Sequence, residues 1–281
     1  MSKIALVTDS TCDLPQEIIK RYDIKILPLK VIYSNAEYKD RVDITPEEIY
    51  SRFDEEIPKT SLPSLGECID LFNKLESEGY THLIVTTISS GLSGTINMIR
   101  NAKSAIENLV IEIIDSKSLS MGLGYPVLEG AKELEKTKDY HKTIKKIKEV
   151  ISRTDTYYVV KTLEYLKKGG RIGRVEGTIG DLLRIKPIIS INEEGVYYTY
   201  KKIRGRKRSL KALYNLVKER AEKCMINVAV AHGDAYDEGI DLLDKIKKIK
   251  NVKEVTLTQI SPVLVVHTGP GLVGVIVSDR I

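Results

Sequence analysis

The feature that most constrains this chain is a succession repeated through its first half: a short apolar run, a turn crowded with hydroxyls, then a helix with one apolar face. "KIALVT" leads into "TDSTCDL" and the short helical stretch "PQEIIKRY". "HLIVTT" leads into "TTISSGLSGT", which carries six hydroxyls in ten positions, and then into "GTINMIRNAKSAIEN". "VIEIID" leads into "DSKSLSMG" and the helical stretch "SLSMGLGYPVLEGAKELEK". A fourth such turn, "KTSLPS", opens "SLGECIDLFNKLESEG". Strands and helices that alternate in this way predict a mostly parallel sheet covered by helices.

Local signals place several ends. "TPEEIYSRF" has Thr45 as N-cap, Pro46 at the first helical position and Glu48 three residues after the cap, the pattern of a capping box. Ser64 caps the next helix and Gly79 stops it. Pro28 interrupts "IKILPLKVIY" and marks an edge, a bulge or a strand end. From about residue 152 the pattern changes. "TYYVV" reads as a strand, "LEYLKKGG" as one or two helical turns, and "KPIISINEEGVYYTYKKI" as a hairpin turning at "NEEG". A helix over 207–223, the strand "INVAVAH", a helix over 237–249 and the strands "VKEVTLTQI" and "GLVGVIVS" follow. The expected architecture is α/β with two domains: an N-terminal, mostly parallel α/β domain over 1–152 and a C-terminal α+β domain over 153–281.

Composition narrows the function classes. With 42% hydrophobic and 30% charged residues, no Trp and two Phe, the chain reads as a soluble globular protein with an aliphatic core. No apolar stretch approaches the roughly 18 residues of a membrane span, and "MSKIALVTDS" lacks the shape of a signal peptide. Cys12, Cys68 and Cys224 are isolated, without metal-ligand spacing, so a metal site is not expected and a reducing cytoplasm is. The net charge of +5 is mild and does not call for nucleic acid.

In an open α/β sheet the strand-to-helix turns lie at the carboxyl ends of the strands, where ligands bind. Each turn also presents unpaired helix N–H groups and a dipole that favours an anion. Two readings of the hydroxyls stand side by side: ordinary capping, and a binding site. The turns carry no clamp of lysines or arginines, and neither GxxxxGK[ST] nor GxGxxG occurs. Hydroxyls plus helix amides suit a small singly charged group such as a carboxylate, which one arginine would complete. Arg171, directly after Gly169 and Gly170, is the candidate, against the plainer reading of a helix stop.

A serine esterase or acyl-transfer enzyme is the rival reading. "GLSGT" begins like the hydrolase elbow, but Thr95 stands where the last glycine belongs. Of the four histidines, His82 and His141 read as structural or solvated, and His232 ends a strand. His267, in what reads as the glycine-rich turn "VHTGPGLVG", is the strongest candidate partner for Ser93. "KKIRGRKR" (201–208) holds six basic residues in eight and reads as a surface loop. It is either solvated or a docking patch of Arg204, Arg206 and Arg208. A nucleic-acid role for it ranks last, because only Tyr197, Tyr198 and Tyr200 stand near it.

"TDSTCDL", "TSLPS", "SSGLSGT", "DSKSLSMG", "LKKGGRIG", "IKPIISI" and "HTGPGLVG" occur in this order along the whole chain. Together they resemble the DegV family of bacterial fatty-acid-binding proteins. The resemblance implies one long-chain fatty acid buried between two α/β domains, no cofactor, no catalytic residue and at most transient membrane contact. It also implies a partner, since members include the binding subunits of fatty acid kinase, which present the acyl carboxylate to a separate kinase. The carboxylate site it implies is Thr60, Ser61, Ser93, Gly94 and His267, with Arg171 nearby. Leu62 departs from the family pattern, which often has a polar residue there, and makes the rim drier.

Overall fold

The computed structural model describes residues 2–178 and 186–280. The chain opens with β1 (Ile4–Asp9), a 3-10 turn (Ser10–Cys12), α1 (Gln16–Arg21) and β2 (Lys25–Leu27). Pro28 then separates β2 from β3 (Lys30–Ile32), so "IKILPLKVIY" is two strands in two sheets. Proline has no N–H for a continuing ladder, and the chain changes partners there. β4 (Glu37–Lys39), α2 (Pro46–Arg52), β5 (Lys59–Ser61) and α3 (Leu65–Ser77) come next. β6 (His82–Thr87), α4 (Thr95–Lys103), β7 (Val110–Asp115), α5 (Met121–Thr137) and α6 (Tyr140–Ile151) complete the first half. β1, β2, β6 and β7 form a parallel sheet in the order β2-β1-β6-β7, while β4-β3-β5 form a small antiparallel one. The expected caps are present: Thr45 with Glu48 on α2, and Ser64 with Glu67 on α3, both capping boxes. α4 is shorter than the expected stretch, because 104–109 turn the chain back to enter β7 beside β6.

The second half comprises β8 (Thr154–Val159), α7 (Glu164–Lys168), a 3-10 segment (Gly173–Thr178), β9 (Ile188–Ile191) and β10 (Tyr197–Lys201). α8 (Arg206–Ala221), β11 (Ile226–Gly233), α9 (Tyr236–Ile246), β12 (Val252–Gln259), α10 (Pro262–Thr268) and β13 (Leu272–Asp279) follow. Their sheet has the order β10-β9-β8-β13-β11-β12, antiparallel except for the β11–β12 pair. The hairpin does turn at "NEEG", with Asn192 Oδ1 accepting from the Val196 N–H. In the "IKPIISI" motif, Ile185 lies outside the described residues. α9 ends at Ile246, short of the expected 249.

α10 was not expected: no element is assigned to "PVLVV" and "VHTGPGLVG" reads as a glycine-rich turn, yet "PVLVVHT" is helical. It packs against α2, α7 and β3.

Strand alternation sorts the core into layers. In β1 and β6, Ala5, Val7, Leu83 and Val85 face α3 and α4 through Phe72 and Ile99. Leu6 and Ile84 face the opposite way. In the large sheet, Val228, Val230 and Val275 face α8 and α9 through Leu213, Val217, Leu242 and Ile246. Ala229, Ala231 and Ile276 face the opposite way. The central layer therefore joins one face of each large sheet through Leu123 and Val127 of α5 and Val263 and Leu264 of α10.

Candidate ligand-binding site

The four hydroxyl-rich turns divide into two kinds. The first and last use their polar groups internally. Asp9, at the end of β1, accepts from the Thr11 N–H and from the Ile88 N–H at 3.0 and 2.7 Å. Ser10 Oγ accepts from the Leu29 N–H, Ser118 Oγ meets Thr156 Oγ1 at 3.2 Å, and Ser120 Oγ donates to Asp13. In "TTISSGLSGT", Ser89 Oγ donates to the Gly195 carbonyl at 2.7 Å, tying this turn to the β9–β10 hairpin. The two readings of the hydroxyls, capping and a binding site, therefore divide among the four turns. "TSLPS" and "GLSGT" alone supply hydroxyls to a cavity of about 170 Å³.

The polar lining of this cavity is Thr60, Ser61, Ser93, Arg171 and His267. Its apolar lining includes Leu62, Ile88, Leu92, Tyr197 and Leu264. Residues of both halves of the chain therefore meet here. Gly94 is at the N-cap of α4 and is not among the lining residues; a side chain there would meet Leu62 at 3.5 Å.

Ser93 serves both readings at once. Its Oγ accepts from the Thr95 N–H at 3.3 Å and meets Thr95 Oγ1 at 2.8 Å, covering an unpaired donor of α4 while lining the cavity. His267 lies on the last turn of α10 rather than in a glycine turn. Its Nε2 meets Thr60 Oγ1 at 2.8 Å, and its Nδ1 has no partner. The ring packs so closely on Gly169 that an added Cβ there would sit 2.2 Å from Nδ1. Burial first, and the charge of Arg171 second, hold the imidazole down to about 4, so it is neutral at physiological pH. α7 stops in a glycine turn, with the Arg171 N–H bonding back to the Leu166 carbonyl at 3.0 Å. Arg171 Nη1 donates to the Gly169 carbonyl at 2.8 Å. The stop and the placement of an arginine over the cavity are thus one device.

This geometry is unlike a hydrolase. His267 Nε2 engages Thr60, not Ser93, and no carboxylate stands behind Nδ1, so a nucleophile–base–orienter relay is not assembled. Of the other histidines, His232 is buried at the end of β11 and held below its usual range by desolvation. His82 opens β6 and His141 lies on α6. Among the described residues, no group of three or more His, Cys, Asp or Glu could hold a metal ion.

A second, smaller cavity of about 20 Å³ adjoins the first. Tyr197 and Leu264 line both, and Tyr158, Leu119 and Ile276 line only the second. Tyr197, Val263 and Leu264 escaped the sequence reading. The serine-proline pair at the start of α10 and the glycine after it are helix-end signals that could have found Val263 and Leu264, but nothing in the hairpin's alternation distinguishes Tyr197 from its neighbours.

The basic run is also corrected. Arg206 and Arg208 belong to the first turn of α8, not to a loop. Arg206 forks onto the Glu238 carboxylate of α9, with Nη2 at 2.6 Å and Nε at 3.1 Å. It is therefore not a free docking charge. Arg204, Arg208, Lys201, Lys202 and Lys207 are exposed.

A model of the DegV family matches residues 3–280. A DegV domain-containing protein of Clostridium acetobutylicum is 47% identical over 280 residues, covering 100% of both chains. Among solved structures, a fatty-acid-binding DegV family protein from Thermus thermophilus superposes with a TM-score of 0.93 at 29% identity, covering 99% of this chain and 100% of its own. A stearic-acid-binding protein from Eubacterium ventriosum superposes with a TM-score of 0.90 at 30% identity, covering 99% of this chain and 98% of its own. Fold and sequence together place this chain in the DegV family.

Proposed function

We propose that this chain binds one long-chain fatty acid in a cleft between two domains, 1–152 and 153–281, and performs no chemistry on it. One observation carries the reading. Three hydroxyls, a neutral imidazole and an arginine line one cavity together with leucine, isoleucine and tyrosine side chains. The polar groups suit a carboxylate and the apolar ones an acyl chain. Thr60, Ser61, Ser93, His267 and Arg171 hold the head group; Gly94 only shapes the turn that carries Ser93. The fatty-acid-binding functions of the two solved relatives support the same ligand class.

The energetics divide in the same way. Burying a methylene contributes about 0.8 kcal/mol, so roughly 14 of them give about 11 kcal/mol gross, before the losses of ordering and association. The tail supplies most of the affinity, and the hydroxyls set orientation. Leu62 on the rim keeps water from competing for the carboxylate.

The bound carboxylate is presented to a fatty acid kinase subunit, which docks on the exposed charges of Arg204 and Arg208. The work is cytoplasmic, with at most transient membrane contact. No helix among the described residues is long and apolar enough to cross a membrane.

The test is mass spectrometry of lipid extracted from denatured, purified protein, together with the melting temperature on adding fatty acid. A stoichiometric acyl chain and a rise in Tm are expected. An empty extract with an unmoved Tm overturns the reading, and turnover of an aryl ester that is lost in Ser93→Ala replaces it with an esterase.

A further inference from the structure

The first hydroxyl-rich turn, "TDSTCDL", supplies no side chain to the cavity that Thr60 and His267 line, yet it carries a buried aspartate that reaches across to the second half of the chain. Asp13 is 1% exposed. Its carboxylate accepts from the Ser261 N–H at 2.9 Å, from Arg41 Nη2 at 2.7 Å and from Ser120 Oγ at 2.6 Å. Its carbonyl accepts from Thr258 Oγ1 at 3.0 Å, and Arg41 Nη2 also donates to the Gln259 carbonyl at 2.9 Å. Asp40, which follows β4 and is fully buried, accepts from the Val263 N–H at 3.1 Å.

These bonds do for α10 what its own sequence does not. Ser261 is the N-cap, but its side chain makes no capping bond and its Oγ has no partner. Pro262 has no N–H to satisfy. The open donors of Ser261 and Val263 are taken by two carboxylates of the first half instead. From there the segment is tied turn to turn: the Val265 N–H bonds to the Ser261 carbonyl at 3.0 Å, and the Gly269 N–H to the Val265 carbonyl at 2.8 Å. His267 stands four residues beyond Val263, about 6 Å along a helix axis. A shift at the start of α10 is therefore carried to the ring that meets Thr60. Backbone strain gathers at the same point. Asp13, Arg41 and Ser120 are non-glycine residues with left-handed φ of 51°, 60° and 52°. Such angles persist where surrounding contacts over-determine them, and they cluster where geometry serves function.

Resting on the fatty-acid reading above, we propose that Asp13 and Asp40 are positioning residues for the head group: they lock α10 against the first half of the chain and so set His267 against Thr60. Neither touches the ligand. When the lock is broken, α10 shifts and the Thr60–His267 contact fails first. A hydrogen bond weakens steeply with distance and angle, whereas apolar contact is non-directional and tolerates the same shift. The property lost is selectivity for a carboxylate over a neutral head group on the same tail.

The experiment measures binding of octadecanoic acid and of octadecan-1-ol to delipidated protein, together with the melting temperature. The wild type should prefer the acid by about tenfold or more, since hydrogen bonds to a charged group are the stronger ones. Asp13→Ala and Asp40→Ala should each cut that preference by about fivefold or more, mainly by weakening the acid. Asp13→Asn keeps an acceptor for the Ser261 N–H and tolerates the left-handed φ, so it should retain most of the preference. Arg41→Met, which leaves both aspartates in place, decides the matter should the alanine variants not fold; it should cut the preference by about threefold. Arg220→Met breaks a different ion pair, to Asp279 at the end of α8, and should lower the melting temperature with the preference unchanged.

Acid and alcohol weakened equally by Asp40→Ala and Arg41→Met, or a preference that Arg220→Met reduces as much as they do, overturn the proposal while leaving fatty-acid binding intact. A wild type that binds neither ligand overturns the fatty-acid reading, and this inference with it.

Discussion

Thr60 Oγ1 and His267 Nε2 lie 2.8 Å apart although 207 residues separate them in the chain. The contact joins the end of the small antiparallel sheet to the end of α10, and it also assigns the protons. A buried N–H without a partner is costlier than a bare lone pair. Nδ1 of His267 has no partner, so the proton sits on Nε2 and is donated to Thr60. The Thr60 hydroxyl is then free to donate its own proton into the cavity. A neutral histidine thus orients a hydroxyl toward the cavity without bringing a buried charge of its own.

The proposed head-group site is tested at this arrangement. Thr60→Ala and Ser93→Ala each remove one hydrogen bond to a charged group, worth about 1.5–3 kcal/mol. Fatty-acid affinity should fall by about tenfold to a hundredfold in each, with the far-ultraviolet circular dichroism spectrum unchanged. Unaltered affinity in both variants moves the head group elsewhere.

Gly169→Ala tests the packing behind the histidine. Gly169 has an ordinary φ of −76°, so the substitution meets no backbone strain. Its Cβ would nevertheless sit 2.2 Å from His267 Nδ1, and the ring must swing away from Thr60. Overpacking of this kind costs about 1–3 kcal/mol. Lower affinity together with a lower melting temperature is expected; a variant that binds as the parent does would show the ring has no part in holding the ligand.

The titration of His267 has a definite sign. Its folded value, about 4, lies below the ordinary 6.5. Between those two values the unfolded chain takes up a proton that the folded protein does not, so stability is lost as pH falls through this window. The full loss is about 3 kcal/mol. Urea unfolding of wild type and His267→Gln, compared at pH 7 and at pH 4.5, should show the wild type losing more. The buried carboxyls of Asp9, Asp13 and Asp40 are all held above their usual range, chiefly by desolvation. They oppose the trend in both proteins, so they largely cancel in the comparison. Parallel pH profiles would mean that His267 titrates normally.

The arginines of the basic run should separate into two classes. Arg204→Glu with Arg208→Glu reverses exposed charge and should leave fatty-acid affinity within a factor of about two. At low salt the same pair should slow acyl-phosphate formation by a partner kinase at least tenfold, about 1.4 kcal/mol, because such patches act on encounter and are screened by salt. Arg206→Glu instead sets two carboxylates against each other where Arg206 now forks onto Glu238. Its signature should be a melting temperature lower by a few degrees. Kinase turnover unchanged by the double reversal would rule the patch out.

Wherever local chemistry decides an outcome, the sequence by itself determined it. The capping boxes at Thr45 and Ser64, the hairpin at "NEEG", the strand–helix alternation and the break at Pro28 all depend on neighbours a few residues away. The motifs that lead to Thr60, Ser61, Ser93 and Arg171 were legible too, because each occupies a recognisable turn or cap; His267 was named from its motif, but its segment is a helix and not the glycine-rich turn it reads as. What α10 would become was not. "PVLVV" suits a strand as well as a helix, and it is helical because burial between α2, α7 and β3 requires its backbone groups to bond within the segment. Tertiary structure also decided which hydroxyls face a cavity: Asp9 and Asp13 take up polar groups of the first and last turns, and the β9–β10 hairpin takes up Ser89. It paired Arg206 with Glu238, and it set Tyr197 between two cavities. Each of these depends on a contact between residues far apart in the chain, and no short-range pattern encodes such a contact.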